Sequence, residues 1–265
     1  MLETRSTGDA RTAFARSGAG PLLLLMHGAE GSHHMFDAIT PHLAAHFTVL
    51  AYDQRDCGET QGPETPATLL QLADDAKALL EALGHERAHV YGTSFGGRVA
   101  QALAIRHPQC VQRLVLGSTW PLPEQLEALN PQAVARIGEL RSGLPETAEA
   151  LAEFFFTPAF LAGQPQWKNI FRTAQPASAR SQRRFAAVAD CPALPPQQIP
   201  MPTLLLAGEL DRVVPPAVTL GMARAIPRCE AVSLPGVGHA GSIQAPEAIA
   251  GHIRRFCLAS PNQES

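Results

Sequence analysis

A run of β-formers, Ala88-His89-Val90-Tyr91, leads directly into Gly92-Thr93-Ser94-Phe95-Gly96-Gly97, and a helix-like stretch continues to His107. No other feature of the chain restricts its fold as strongly. Strand, tight turn and helix form the context in which Gly-x-Ser-x-Gly carries meaning. So sharp a turn holds Ser94 in a strained conformation with its hydroxyl exposed at the end of the strand. The free backbone N–H groups of the following helix then favour negative charge beside it. Gly92 and Gly96 are required because a Cβ at either would collide with the neighbouring helix or strand. Taken alone, a Gly/Ser turn without chemistry explains the same residues equally well.

The rest of the chain supplies the context. Leu22-Leu23-Leu24-Leu25-Met26 is apolar without alternation, as in a strand covered on both faces of a parallel sheet. Weak edge strands precede it over 2–5 and 11–16. A helix over 32–45, bent at Pro41, a strand over 47–52 and a helix capped at Thr65-Pro66 follow. Leu69, Leu72, Ala73, Ala76, Leu79, Leu80 and Leu83 mark the apolar face of that helix, and Gly84 stops it. After the Ser94 turn, a helix from Gly97 to His107 and a strand over 112–116 are expected. Strands over 203–207 and 230–234 and helices over 216–225 and 243–257 close the chain. Alternating strands and helices define an α/β class: a mostly parallel twisted sheet with right-handed crossovers and helices on both faces.

Between them, 119–200 changes character. It shows no convincing strand, prolines at both ends, and short amphipathic segments over 124–129, 132–140, 146–156 and 178–189. We therefore expect a core domain of 1–118 and 201–265 with 119–200 inserted as a helical cap. Composition narrows the function. The formal net charge of −3 without a basic run argues against a nucleic-acid partner. Five scattered cysteines without a Cys-x-x-Cys pair fit neither a disulfide framework nor a zinc site. No signal peptide and no apolar run long enough for a bilayer is read, so a cytoplasmic protein without a membrane partner is expected. Oligomeric state stays open.

A serine at such a turn needs a base, and the base an orienting carboxylate. In a parallel sheet, reactive side chains collect past the carboxyl ends of the strands. Two such loops offer partners: Gly208-Glu209-Leu210-Asp211 and Pro235-Gly236-Val237-Gly238-His239. Ser94, Asp211 and His239 each lie just beyond a strand, with Glu209 the rival acid. Asp53 and Arg55 read as loop-holding groups, Cys57 as a packed residue and His27 as a partner of the backbone beneath its own loop.

This arrangement resembles the α/β-hydrolase family over essentially the whole chain outside 119–200. His27-Gly28-Ala29 is similar to the family's His-Gly oxyanion loop. Asp53-Gln54-Arg55-Asp56-Cys57-Gly58 is similar to its Asp-x-Arg-Gly-x-Gly turn, with Asp56 where glycine is usual. Gly208-x-x-Asp211 and Gly238-His239, with Pro246-Glu247 downstream, resemble its acid and histidine loops. The resemblance implies a Ser94–His239–Asp211 triad, an oxyanion hole from the Phe95 and Ala29 amides, and acyl transfer without a metal or organic cofactor.

Residues 155–160 and 189–203 resemble the 3-oxoadipate enol-lactonase subgroup, which implies a small ester or lactone substrate. Carbon–carbon bond hydrolysis, aminopeptidase activity, a lyase and a slow-turnover sensor are alternatives on the same triad. Trp120, Phe155 and Trp167 are the candidate substrate-binding aromatics, with Phe154, Phe156 and Phe171 beside them. Glu30 either points to solvent or contacts the substrate. Arg136, Arg141 and Arg172 are the cap arginines considered for a substrate carboxylate.

Overall fold

Leu22–Met26 (β3) sits in the middle of the sheet because both its faces are apolar. Leu22, Leu24 and Met26 enter one core cluster, Leu23 and Leu25 the other. The computed structural model describes residues 1–174 and 178–259. The other strands are β1 (Leu2–Thr7), β2 (Ala10–Ser17), β4 (Thr48–Tyr52), β5 (Ala88–Thr93), β6 (Val111–Gly117), β7 (Thr203–Gly208) and β8 (Cys229–Leu234). They form one sheet in the order β1-β2-β4-β3-β5-β6-β7-β8. The β1–β2 and β2–β4 pairs are antiparallel; all pairs from β4 to β8 are parallel. After β3 the chain steps outward to β4, then returns across β3 to β5 and runs the other way. That reversal leaves a crevice past the carboxyl ends of β3 and β5, where ligands of open parallel sheets collect.

Helices α1 (Thr40–Ala44) and α11 (Pro246–Cys257) cover one face, where Leu43, Ile249, Ile253 and Phe256 are buried. Helices α2 (Leu69–Ala82) and α3 (Phe95–Arg106) cover the other. The stripe Leu69, Leu72, Ala73, Ala76, Leu79 and Leu80 of α2 is fully buried, each leucine contributing roughly 1.5–3 kcal/mol. Between β6 and β7 run α4 (Leu126–Leu129), α5 (Pro131–Ser142), α6 (Ala148–Phe155), α7 (Pro158–Gly163) and α8 (Ala179–Ala189), with no strand among the described residues. Short helices α9 (Pro216–Gly221) and α10 (Gly241–Gln244) complete the set. No described helix is long and apolar enough to cross a membrane, and all five cysteines are unpaired.

Several expected boundaries move, each for a local reason. The helix expected over 32–45 is a single turn at His33–Phe36 followed by α1, with Pro41 near the start of the second piece. Thr68, not Thr65, caps α2. It forms a capping box with Gln71, and the carboxylate of Asp190 accepts from the Leu69 N–H at 2.7 Å. Helix α3 starts at Phe95, two residues early, because Ser94 itself occupies the cap position. The helix expected over 216–225 is α9 followed by a single tighter turn, Met222–Arg224. The closing helix is broken at Ala245, since the residue before Pro246 is pushed out of the helical region.

Candidate active site

Ser94 adopts φ 55° and ψ −126°, a region that non-glycine residues occupy only when their surroundings over-determine it. Here the surroundings do. Its N–H donates to the Gly117 carbonyl at 2.9 Å, and its own carbonyl accepts from the Thr119 hydroxyl at 2.7 Å and the Gly97 N–H at 2.9 Å. The flanking glycines allow the approach: a Cβ on Gly92 would collide with the Gly96 carbonyl, and one on Gly96 with the carbonyls of Met26 and His27. Helix α3 can therefore start directly against the end of β3.

The loops after β7 and β8 bring the other two residues to Ser94. Their backbones are tied together by the Leu210 N–H donating to the Val237 carbonyl at 2.9 Å. His239 Nδ1 lies 2.9 and 3.1 Å from the two carboxylate oxygens of Asp211, and its Nε2 lies 3.0 Å from Ser94 Oγ. A carboxylate only accepts, so Nδ1 carries the proton and Nε2 is free to accept from the Ser94 hydroxyl. Asp211 also accepts from the Val213 and Val214 N–H groups, both at 2.9 Å, which fixes its carboxylate. It thus caps the following turn and faces the histidine at once. Glu209 is exposed and accepts instead from the Gly236 N–H.

Gly28 is close enough to Ser94 that a Cβ there would lie 3.5 Å from the serine Cβ. Gly31 N–H donates to Gly28 O at 3.2 Å, closing a turn whose first inner residue is Ala29. The Ala29 N–H takes no part in that bond, and the Phe95 N–H heads α3 where no intrahelical acceptor exists. His27 secures the loop as read from the sequence. Its Nδ1 donates to the Gly28 carbonyl at 2.8 Å, and its Nε2 accepts from the Gln54 N–H at 3.1 Å. Burial, and next the positive charge of Arg184, lower its pKa to about 3, so the ring is neutral. Asp53 holds the neighbouring turn through the His33 and Glu59 N–H groups, and Arg55 pairs with Asp75 and Asp9. Asp56, where glycine is usual, takes the left-handed conformation itself (φ 60°) and pairs with Arg183 at 2.7 Å. Asp56 therefore takes the left-handed backbone that glycine would favour and adds a joint to α8.

The candidate substrate residues divide. Phe155 reaches the site: its ring meets the His239 ring edge-on at 5.5 Å, and its carbonyl accepts from the Ala240 N–H at 2.9 Å. Trp120 is buried against Val213 and Val214 beside the acid loop. Trp167 packs instead on Phe156 and Phe160. Glu30 is exposed, as one of its two readings had it, and its carboxylate pairs with Arg141 of α5 and accepts from the Ser181 hydroxyl of α8. That engagement takes Arg141 out of the set considered for a substrate carboxylate. Arg136 pairs with Glu139 at the surface, and Arg172 is exposed.

The arginine that does approach the site is Arg184, which the sequence reading passed over. Its Nε donates to the Ala29 carbonyl at 2.6 Å and its Nη2 to Gln54 Oε1 at 3.0 Å, and its guanidinium lies 4.4 Å from the centre of the Phe95 ring. The signal was available. Arg184 stands on the same helical stripe as Ala187 and Val188, where an apolar residue is ordinary.

Fold and site define a class, and comparison places the chain in it. The chain belongs to the alpha/beta hydrolase fold family, whose model matches residues 21–246. A relative from Yersinia enterocolitica, provisionally named a carbamate hydrolase (RutD), is 29% identical over 249 residues, 91% of this chain and 89% of its own. The 2-hydroxymuconate semialdehyde hydrolase of Pseudomonas sp. strain CF600 is 30% identical over 264 residues, 93% of this chain and 87% of its own. Among solved structures, the enol-lactonase of Burkholderia xenovorans LB400 superposes with a TM-score of 0.82 at 25% identity, covering 97% of this chain and 100% of its own. The protein is a hydrolase of this family.

Proposed function

We propose that the protein hydrolyses a small carboxylic ester or lactone through an acyl-enzyme on Ser94. The observation that carries the reading is His239 bridging Ser94 Oγ at 3.0 Å and Asp211 at 2.9 Å. His239 takes the Ser94 proton as the oxygen attacks the carbonyl carbon, while Asp211 holds the tautomer and balances the imidazolium charge. The Phe95 and Ala29 amides receive the oxyanion. His239 then returns the proton to the leaving alkoxide, which in a lactone stays attached to the acyl group. Water, deprotonated by the same imidazole, releases the acid. Residues 119–200 act as a cap over this centre, with Phe155 and Trp120 as its apolar lining.

The enol-lactonase neighbour supports the lactone arm of the proposal. A relative named as a semialdehyde hydrolase supports a second reading, hydrolysis of a carbon–carbon bond beside a carbonyl. Steady-state and burst kinetics on short-chain p-nitrophenyl esters, a lactone panel and a dienoate ketone separate the two. Ester or lactone turnover that falls by roughly three orders of magnitude in both Ser94→Ala and His239→Ala is expected. Turnover of the ketone alone would transfer the proposal to carbon–carbon cleavage, and full ester activity in Ser94→Ala would end both.

A further inference from the structure

Three arginines of α8 reach the loops around Ser94, and one differs from the other two. Arg180 donates to the carbonyls of Cys57 and Thr60 at 2.8 and 2.9 Å, and Arg183 pairs with Asp56. Arg184 is almost fully buried (2% exposed) and has no carboxylate partner among the described residues. The nearby carboxylates are engaged elsewhere: Glu30 with Arg141, Asp53 with His33 and Asp56 with Arg183. Its acceptors are a backbone carbonyl and a side-chain amide, and Nη1 has no acceptor among the described residues. A buried cation without a counter-ion is costly, so such a group survives only where the structure strongly holds it or uses it.

Two of the three groups that Arg184 contacts belong to the two residues proposed to form the oxyanion hole; the third is Gln54. Its Nε binds the Ala29 carbonyl, and its guanidinium stacks on the ring of Phe95. We infer that Arg184 is a positioning residue for that hole, its own contacts holding Ala29 and Phe95 in the arrangement that receives the tetrahedral oxyanion. The inference rests on the Ser94 acyl-enzyme reading. The Ala29 carbonyl, tied to Arg184 on one side and approached by the Cys57 thiol at 3.6 Å, is not free to rotate. That holds the Ala29–Glu30 peptide, while His27 holds the Gly28 carbonyl of the preceding peptide, which carries the Ala29 N–H. At the same time a positive charge without a carboxylate partner among the described residues sits against the Ala29 carbonyl and the Phe95 ring, on the residues whose amides would face the growing negative charge. Both effects act on the transition state more than on the bound substrate, and so appear in kcat.

Loss of a direct oxyanion donor lowers kcat by roughly 10²–10³, and a residue acting one contact further out is expected to give about 10–100-fold. The test compares wild type with Arg184→Met, Arg184→Lys, Arg183→Gln and Ser94→Ala on the best ester. It also measures inhibition by phenylboronic acid, which forms a tetrahedral adduct on a nucleophilic serine, and by the carboxylate product. Arg184→Met should lose about 10–100-fold in kcat and in boronate affinity, with KM and product affinity within about threefold. Arg184→Lys should regain part of that loss, and Arg183→Gln should keep kcat, which separates oxyanion-hole positioning from simple docking of α8. If wild type shows no boronate inhibition, or Ser94→Ala binds boronate as tightly, the underlying reading fails. If those controls hold and Arg184→Met keeps kcat and boronate affinity, or loses KM and product affinity equally, the inference fails while the acyl-enzyme stands.

Discussion

Helices α3 and α8 both reach the loops around Ser94, but different forces hold them. Ten of the twelve residues of α3 are buried, most of them apolar and packed on the sheet. In α8 the buried residues are Arg184 and Ala187, and the helix is attached largely through arginines: its own Arg180, Arg183 and Arg184, and Arg98 of α3, which donates to the Val188 carbonyl at 2.9 Å. Apolar burial of the first kind is not screened by salt, and close packing makes it hard to reverse. Charged joints contribute less each and weaken with ionic strength where water reaches them. Ser94 thus stands on the rigid half of the molecule, and the Ala29 loop is shared with the half whose attachment is easier to loosen.

Acid should expose the difference most. His27 and His89 are buried and neutral in the folded chain; burial, the largest cause in each, lowers their pKa values to about 3 and about 4. Both residues lie in the sheet core, on or just after its strands. Unfolding lets both bind protons below about pH 6.5, so stability is full above that pH and is lost as pH falls toward 4. Each histidine adds up to roughly 1.4 kcal/mol per pH unit. Urea titrations between pH 7 and 4.5 should show this slope, and His89→Leu should reduce it by about half. An unchanged slope in that variant would break the assignment.

Gly96→Ala should destabilise by about 3 kcal/mol or more, since the added methyl meets backbone carbonyls that cannot step aside. Its melting curve should shift by many degrees or vanish. On the α8 side, Arg183→Gln removes a largely buried ion pair with Asp56 and should cost about 1–2 kcal/mol, less than Gly96→Ala. Cutting Arg136 from Glu139, both exposed on α5, should change stability by less than about 0.5 kcal/mol. If Arg183→Gln proved as damaging as Gly96→Ala, the contrast between the two halves would be lost.

The same contrast explains what was legible in the sequence. Leu22–Met26, the stripe of α2 and the Gly-x-Ser-x-Gly turn announce themselves because burial and backbone geometry leave periodic or glycine-specific marks. Ser94, Asp211 and His239 follow from those marks, each just past a strand, and they meet at hydrogen-bonding distance. The start of α2 was misplaced although Thr68 and Gln71 carry a local capping box; the Asp190 carboxylate that also accepts from the Leu69 N–H lies 121 residues away and leaves no local mark. Glu30, Asp56 and Arg184 were the least legible. A charged residue looks solvated until its partner is known, and here every partner is long-range: Glu30 with Arg141, Asp56 with Arg183, Arg184 with Ala29. Helix α7 was missed because its six residues are too few for a period to show.

The central claim is that Ser94 is the nucleophile, and covalent labelling reads it most directly. The protein would be treated with a fluorophosphonate, the adduct counted by intact mass and located by peptide mapping, beside Ser94→Ala and His239→Ala. The expected result is one adduct, on Ser94, absent from Ser94→Ala and formed far more slowly in His239→Ala. An adduct on another residue, or equal labelling of Ser94→Ala, would contradict it.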